Sequence, residues 1–150
     1  MTITCSRNDM RFVNMASQEA EKSPALYKHG CVAVVSGKVV ARGHNNYRTS
    51  SKDGLIGNNC SCHAEIDVLR KCMKQQIRKK MNMYVVRVNQ SGELAMSLPC
   101  SECYNIMKKF GVKNIVYSGD NNNCSKQSMH LFDTTYKTHG QRYRDKKVEN

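Results

Sequence analysis

His63-Ala64-Glu65-Ile66-Asp67-Val68-Leu69-Arg70-Lys71-Cys72-Met73 begins the stretch, ending at Tyr117, whose pattern decides the fold class. Ile66, Leu69, Met73 and Ile77 recur at helical spacing, which predicts a helix over 63–80. A β-branched run predicts a strand over 83–88, and Asn89-Gln90-Ser91-Gly92 reads as a turn. A second helix is expected over 100–110, with Gly111 as a left-handed stop, and another strand over 112–117. Moving outward, residues 31–35 and 38–41 flank Ser36-Gly37 and predict a hairpin. Before it, Met10, Val13, Met15, Ala16 and Ala20 predict a helix over 9–22, capped by Asn8 or Asp9 and closed by Ser23-Pro24. After Tyr117, residues 120–123 form a tight turn. Residues 126–134 are expected to pair back antiparallel onto 115–118, because too few apolar residues lie between Tyr117 and Met129 for a crossover helix. The order helix, two strands, helix, strand, helix, strand predicts an α/β fold with helices on both faces of a mostly parallel sheet. Residues 1–150 read as a single domain, with a basic C-terminal tail from about 136.

Hydrophobic residues make up 39% and charged residues 24%, as in globular domains. No run of about 18 apolar residues occurs, so no membrane partner is expected. Residues 1–10 lack the apolar segment of a signal peptide, which makes an intracellular, reducing, cytoplasmic location the expectation. In such a setting the eight cysteines are not a disulfide framework. Cys5, Cys31, Cys72 and Cys124 stand alone and read as small buried side chains. The formal charge of +12 is spread over 71–80, 108–113 and 142–147 without one dominant stripe. It fits a phosphate-bearing small molecule, a nucleic acid or a solvated face.

Two clusters carry chemistry: His63-Ala64-Glu65, and Pro99-Cys100-Ser101-Glu102-Cys103. His63 and Cys100 each open a predicted helix, and in a βαβ arrangement such helix starts share one edge of the sheet. Imidazole and two thiolates spaced Cys-x-x-Cys suit zinc, and three protein ligands leave a fourth position for water. The helix N-termini favour thiolate over thiol. Glu65, near the helix start, can approach that water without ligating the metal, take its proton and pass it to a leaving amine. A closed structural zinc site would need Cys62 as a fourth ligand. Adjacent helical residues point about 100° apart, and such a site leaves Glu65 without a role. This non-catalytic zinc-binding domain is the bland reading. Cys60 and Cys62 could build a second zinc site with His29, His44 or Cys31, but ordinary thiols are the preferred reading. His130 and His139 read as surface residues.

The ordered pair H-x-E and P-C-x-x-C is the signature of zinc nucleobase deaminases. Over about residues 10–118 the chain resembles the cytidine and deoxycytidylate deaminase superfamily. That resemblance implies a three-layer αβα fold with a five-stranded mixed sheet. It implies His63, Cys100 and Cys103 as ligands of one catalytic zinc and Glu65 as the proton shuttle. It also implies Asn45 as a sugar or base contact, the Leu98 carbonyl as acceptor for the exocyclic amine, and the Ala64 N–H as donor to a ring carbonyl. Relatives of this kind commonly form homo-oligomers.

Within the superfamily the chain divides its likenesses. Cys62-His63-Ala64-Glu65, Pro99 to Tyr104 and Phe110 to Ile115 are similar to deoxycytidylate deaminases, but Gly43-His44-Asn45-Asn46 stands where Gly-Tyr-Asn-Gly is usual. Val40 to Asn45 and His63 to Ile66 are similar to bacterial tRNA adenosine deaminases, yet the 45–63 stretch is longer and Cys60-Ser61-Cys62 replaces Asp-Pro-Thr. The Asn-x-Glu motif of free cytidine deaminases is missing. The preferred reading is deamination of a cytosine ring in a free nucleoside or nucleotide: cytidine, deoxycytidine or dCMP. The rival is a polynucleotide deaminase acting on RNA or single-stranded DNA, for which Tyr136, Arg142 and Tyr143 offer stacking groups.

Overall fold

The computed structural model describes residues 5–48, 51–56, 62–77 and 80–130. The basic tail, Cys60, Ser61, His139 and residues 131–134 of the expected last strand lie outside these.

Helix α1, Arg7–Ala20, is capped by Ser6, not by Asn8 or Asp9. The Ser6 hydroxyl accepts from the Asp9 N–H at 3.1 Å and Asp9 returns the bond to the Ser6 N–H at 2.9 Å. This reciprocal box satisfies two otherwise orphaned donors. Its buried apolar face is Phe12, Val13, Ala16 and Ala20; Met10 and Met15 are only half-buried. Asp9 is buried as well, where it accepts from the Tyr84 hydroxyl at 2.8 Å and lies 3.5 Å from the Lys126 ammonium.

Strands β1, Lys28–Val35, and β2, Lys38–His44, form the predicted hairpin. Ser36 and Gly37 both take positive φ, 50° and 77°, the type I′ geometry that matches strand twist. Both strands run further than their apolar residues suggest, because β1 pairs on both sides and backbone pairing carries through the polar Lys28 and His29. Helix α2, Ala64–Lys74, is shorter than its apolar periodicity predicts. Gln76 takes φ 58°, its N–H donates to the Met73 carbonyl at 3.0 Å, and the Ile77 N–H donates to Cys72 at 2.9 Å. This is a Schellman close with glutamine at the position glycine usually fills, and Ile77 packs against the core just beyond the helix. Strand β3 is Met81–Val88, β4 is Leu94–Ala95, helix α3 is Ser101–Lys109, and β5 is Val112–Ser118. Strand β6, Cys124–Ser128, runs antiparallel to β5, as expected, but starts two residues earlier than the sequence suggests.

The sheet order is β2-β1-β3-β5-β6. These five strands are the mixed sheet that the resemblance implied. The two-residue β4 is a sixth, pairing with Arg87 and Val88 of β3 beyond Val85, the last partner of β5. The mostly parallel sheet expected from element alternation is not found: β3 and β5 are the single parallel pair among the described residues. The cause is the opening hairpin, which places β1 antiparallel between β2 and β3. Those two strands therefore point the same way and end at one edge. Helix α1 covers one face over Val32, Val34, Tyr84, Val86 and Val116. Helices α2 and α3 cover the other over Cys31, Ala33, Met83, Val85 and Ile115. No helix among the described residues is long and apolar enough to cross a membrane.

One glycine governs the α1 layer. A Cβ on Gly30 would collide with the backbone carbonyl of Ala16 on α1. Backbone atoms have no rotamer with which to retreat, so the helix itself would have to move. Gly30→Ala is expected to destabilise the fold by about 3 kcal/mol or more, read as a lower denaturation midpoint at unchanged m-value. An unchanged midpoint would mean that α1 is free to shift.

Candidate zinc site and pocket

Helix α2 follows β2, and helix α3 follows β3 after the short β4 that pairs with the end of β3, so both helices start at the shared strand-end edge. His63 is the N-cap residue of α2 and Cys100 that of α3, both in extended backbone. Neither side chain caps its own helix. Serine or aspartate at such positions contributes about 1 kcal/mol, and both helices forgo it. The side chains instead turn toward each other. His63 Nδ1 lies 3.1 Å from Cys103 Sγ and 3.7 Å from Cys100 Sγ, and the three ligand atoms all lie within 4.8 Å of one another.

These separations fit a zinc ion. Bonds of about 2.3 Å to sulfur and about 2.0 Å to nitrogen in a tetrahedron place two sulfurs about 3.8 Å apart and sulfur about 3.5 Å from nitrogen. The donor set of one imidazole and two thiols is also one that zinc favours. Cys62 is not in the cluster: it is buried, and its thiol faces the His63 carbonyl at 3.4 Å. Burial pushes that thiol up to about 11, which suits an inert structural cysteine. Cys31 is likewise buried and raised. Among the described residues no second cluster of three or more metal-binding side chains occurs.

The electrostatics divide the two thiols. A hydrogen bond from Cys103, aided by the nearby His63, holds Cys100 down to about 4 despite its burial. Cys103 is pushed up, because it donates to Cys100 and is itself buried beside Glu65. Glu65 is buried, and that burial raises its carboxyl above the usual carboxylate range against the opposing pull of His63.

A cleft of about 100 Å³ opens over these groups, lined by His29, Asn45, His63, Ala64, Glu65, Ser97, Leu98 and Cys100. All the residues expected from sequence therefore converge, with Cys103 just beneath. Ala64 is the first residue of α2, where N–H groups have no intrahelical acceptor. Leu98 is held above the sheet by a buried pair that sequence reading missed. The Ser97 hydroxyl donates to the Val85 carbonyl at 2.8 Å and accepts from the Ser118 N–H at 2.8 Å. The Ser118 hydroxyl in turn donates to the Ala95 carbonyl at 2.6 Å. Two serines 21 positions apart carry no sequence signal of this pairing.

The family model for the cytidine and deoxycytidylate deaminase zinc-binding region matches residues 6–119. The chain belongs to this deaminase family. Solved structures share its fold. A cytidine deaminase from Burkholderia pseudomallei is 20% identical, over 87% of this chain and 99% of that one, at a TM-score of 0.64. A dCMP deaminase from the cyanophage S-TIM5 is 19% identical, over 76% and 84%, at 0.57. No curated protein sequence matches the chain. Within the deaminase family, His63, Cys100 and Cys103 are the candidate zinc site of this chain.

His29 also lines the cleft, a place that the sequence, which suggests it only as a ligand of a second metal, does not signal. Its neighbours Cys31 and Ala33, two and four positions on, face the α2 and α3 layer. Strand alternation thus puts His29 on the same face, at the end nearest the zinc ligands. Burial, with His63 and Arg87 nearby, lowers its imidazole to about 4, so it is neutral at neutral pH.

Proposed function

We propose that this deaminase hydrolyses the exocyclic amine of a cytosine ring carried by a free nucleoside or nucleotide, yielding the uracil product and ammonia. The observation that carries the reading is the meeting of a buried carboxylate, Glu65, with three metal-binding side chains at the floor of one open cleft. His63, Cys100 and Cys103 would hold a zinc ion, which would supply Lewis acidity and a water-derived nucleophile near neutral pH. The chain's own groups do the rest. Glu65 takes a proton as water adds to the ring carbon and returns it to the amine as the carbon–nitrogen bond breaks. The Leu98 carbonyl accepts from the amine and the Ala64 N–H donates to the ring carbonyl, which orients the ring. Cys62, turned away from the cluster, supports a three-ligand site over a closed structural one.

Arg87 supports including the monophosphates among substrates. It is the cross-strand partner of His29, stacks 4.8 Å from the Tyr27 ring centroid, and has a buried Nε without a hydrogen-bond partner among the described residues. The test is ammonia release by zinc-loaded protein from cytidine, deoxycytidine, dCMP, cytosine, guanine and a tRNA. Turnover of a cytosine nucleoside or nucleotide is expected. Activity on the tRNA alone, falling steeply with salt, would replace this reading with a polynucleotide one.

A further inference from the structure

We infer that His29 is a substrate-binding residue that accepts a hydrogen bond from a sugar hydroxyl, so that the enzyme reads the carrier of the ring as well as the ring. The inference rests on the function proposed above and goes beyond it.

The cleft holds few uncommitted polar atoms. His63 and Cys100 belong to the metal site and Glu65 to proton transfer. The Ser97 hydroxyl is spent on Val85 and Ser118. Asn45, the expected substrate contact, has its side chain engaged by β1: its Oδ1 accepts from the His29 N–H at 2.9 Å and its Nδ2 donates to the Tyr27 carbonyl at 2.7 Å. The Asn45 N–H also donates to the His29 carbonyl at 3.1 Å. Asn45 thus grips the His29 backbone from both sides and acts as its positioning residue.

The His29 ring itself is half committed. A neutral imidazole carries one donor and one acceptor nitrogen, and the nearby Tyr27 carbonyl, which can only accept, can engage the donor alone. The acceptor nitrogen has no partner among the described residues. An acceptor selects a hydroxyl donor; a phosphate dianion offers none. The geometry of a pyrimidine places the sugar correctly. The nitrogen bearing the sugar is diametrically across the ring from the reacting carbon. With that carbon over the metal ligands, the sugar lies one ring width away along the cleft wall. His29 lines that wall without belonging to the three-residue metal cluster.

The test uses zinc-loaded protein and its His29→Phe and His29→Gln variants. Substrates are cytosine and cytidine analogues lacking the 2′, 3′ or 5′ hydroxyl, each sugar in whichever phosphorylation state the unaltered protein turns over. Loss of one hydroxyl is expected to lower kcat/KM about 10-fold in the unaltered protein, the worth of one hydrogen bond. His29→Phe should abolish that discrimination with zinc content unchanged and lower turnover of the nucleosides more than that of cytosine, and His29→Gln should restore part of the discrimination. Calorimetry reads the same contact without turnover: uridine binding should weaken about 10-fold in His29→Phe, with uracil binding unchanged. Retained discrimination in His29→Phe, or an equal loss on cytosine and its nucleosides, overturns the role of His29 while leaving the proposed function standing. An unaltered protein that holds zinc yet neither binds nor turns over any cytosine carrier overturns the proposed function itself.

Discussion

Glu65→Gln is expected to lower ammonia release by about 10³- to 10⁴-fold, the upper range for loss of a positioned proton carrier, while zinc content and thermal midpoint stay near those of the parent. The substitution keeps shape and removes only the capacity to take and return a proton. Glu65 is buried in the cleft, and among the described residues no other carboxylate lines it. Glu102, in the first turn of α3, is near enough to influence His63 electrostatically but does not line the cleft. Ammonia assay and elemental analysis on the same sample separate the two roles. Substantial activity in the zinc-loaded variant would assign the proton to another group.

The second large effect is expected from Cys100→Ala. It removes one of three ligands from a site whose other members come from two different helices. Stoichiometric zinc, measured by elemental analysis after dialysis, should be lost, and activity with it. Metal and fold are also linked. The ligands belong to the N-cap of α2 and the first turn of α3, so zinc joins the two helix starts where neither has a side-chain cap. A ligand present at about 1,000 times its dissociation constant stabilises the native state by about 4 kcal/mol. A chelator should therefore lower the thermal midpoint of the parent and leave that of Cys100→Ala unchanged. A variant that still binds one equivalent of zinc, or a parent indifferent to the chelator, would remove Cys100 from the ligand set.

The ligand triad was legible in the sequence for a physical reason. Metal chemistry restricts the residue types, and a Cys-x-x-Cys pair at a helix start has only a few geometries. The strands and helices over 83–117 were legible because apolar periodicity and the Gly92 and Gly111 breaks agree, and both glycines take positive φ, 83° and 78°. The early end of α2 was not. Apolar periodicity continues through Ile77, and the left-handed residue that stops the helix is a glutamine, which carries no such signal. The true N-cap of α1 was misplaced because Asp9 looks like a cap by itself. Its place in a box with Ser6 depends on where the backbone turns.

From sequence alone came the residue types and their local setting: a histidine and a Cys-x-x-Cys pair at two helix starts, a carboxylate two positions from the histidine, and an antiparallel turn-back after Tyr117. Local backbone rules and ligand chemistry suffice for these, since each depends on neighbours a few positions away. Tertiary structure decided what required distant parts to meet. It set β1 antiparallel between β2 and β3, which brings both helix starts to one edge. It buried Glu65 at the floor of the cleft, tied Ser97 to Ser118 to hold Leu98 in place, and engaged Asn45 with the backbone of β1. That last contact commits the Asn45 side chain and leaves His29 lining the cleft beside it. No sequence pattern announces it, because it arises only when Asn45 and Tyr27, 18 positions apart, are brought into hydrogen-bonding distance by the sheet.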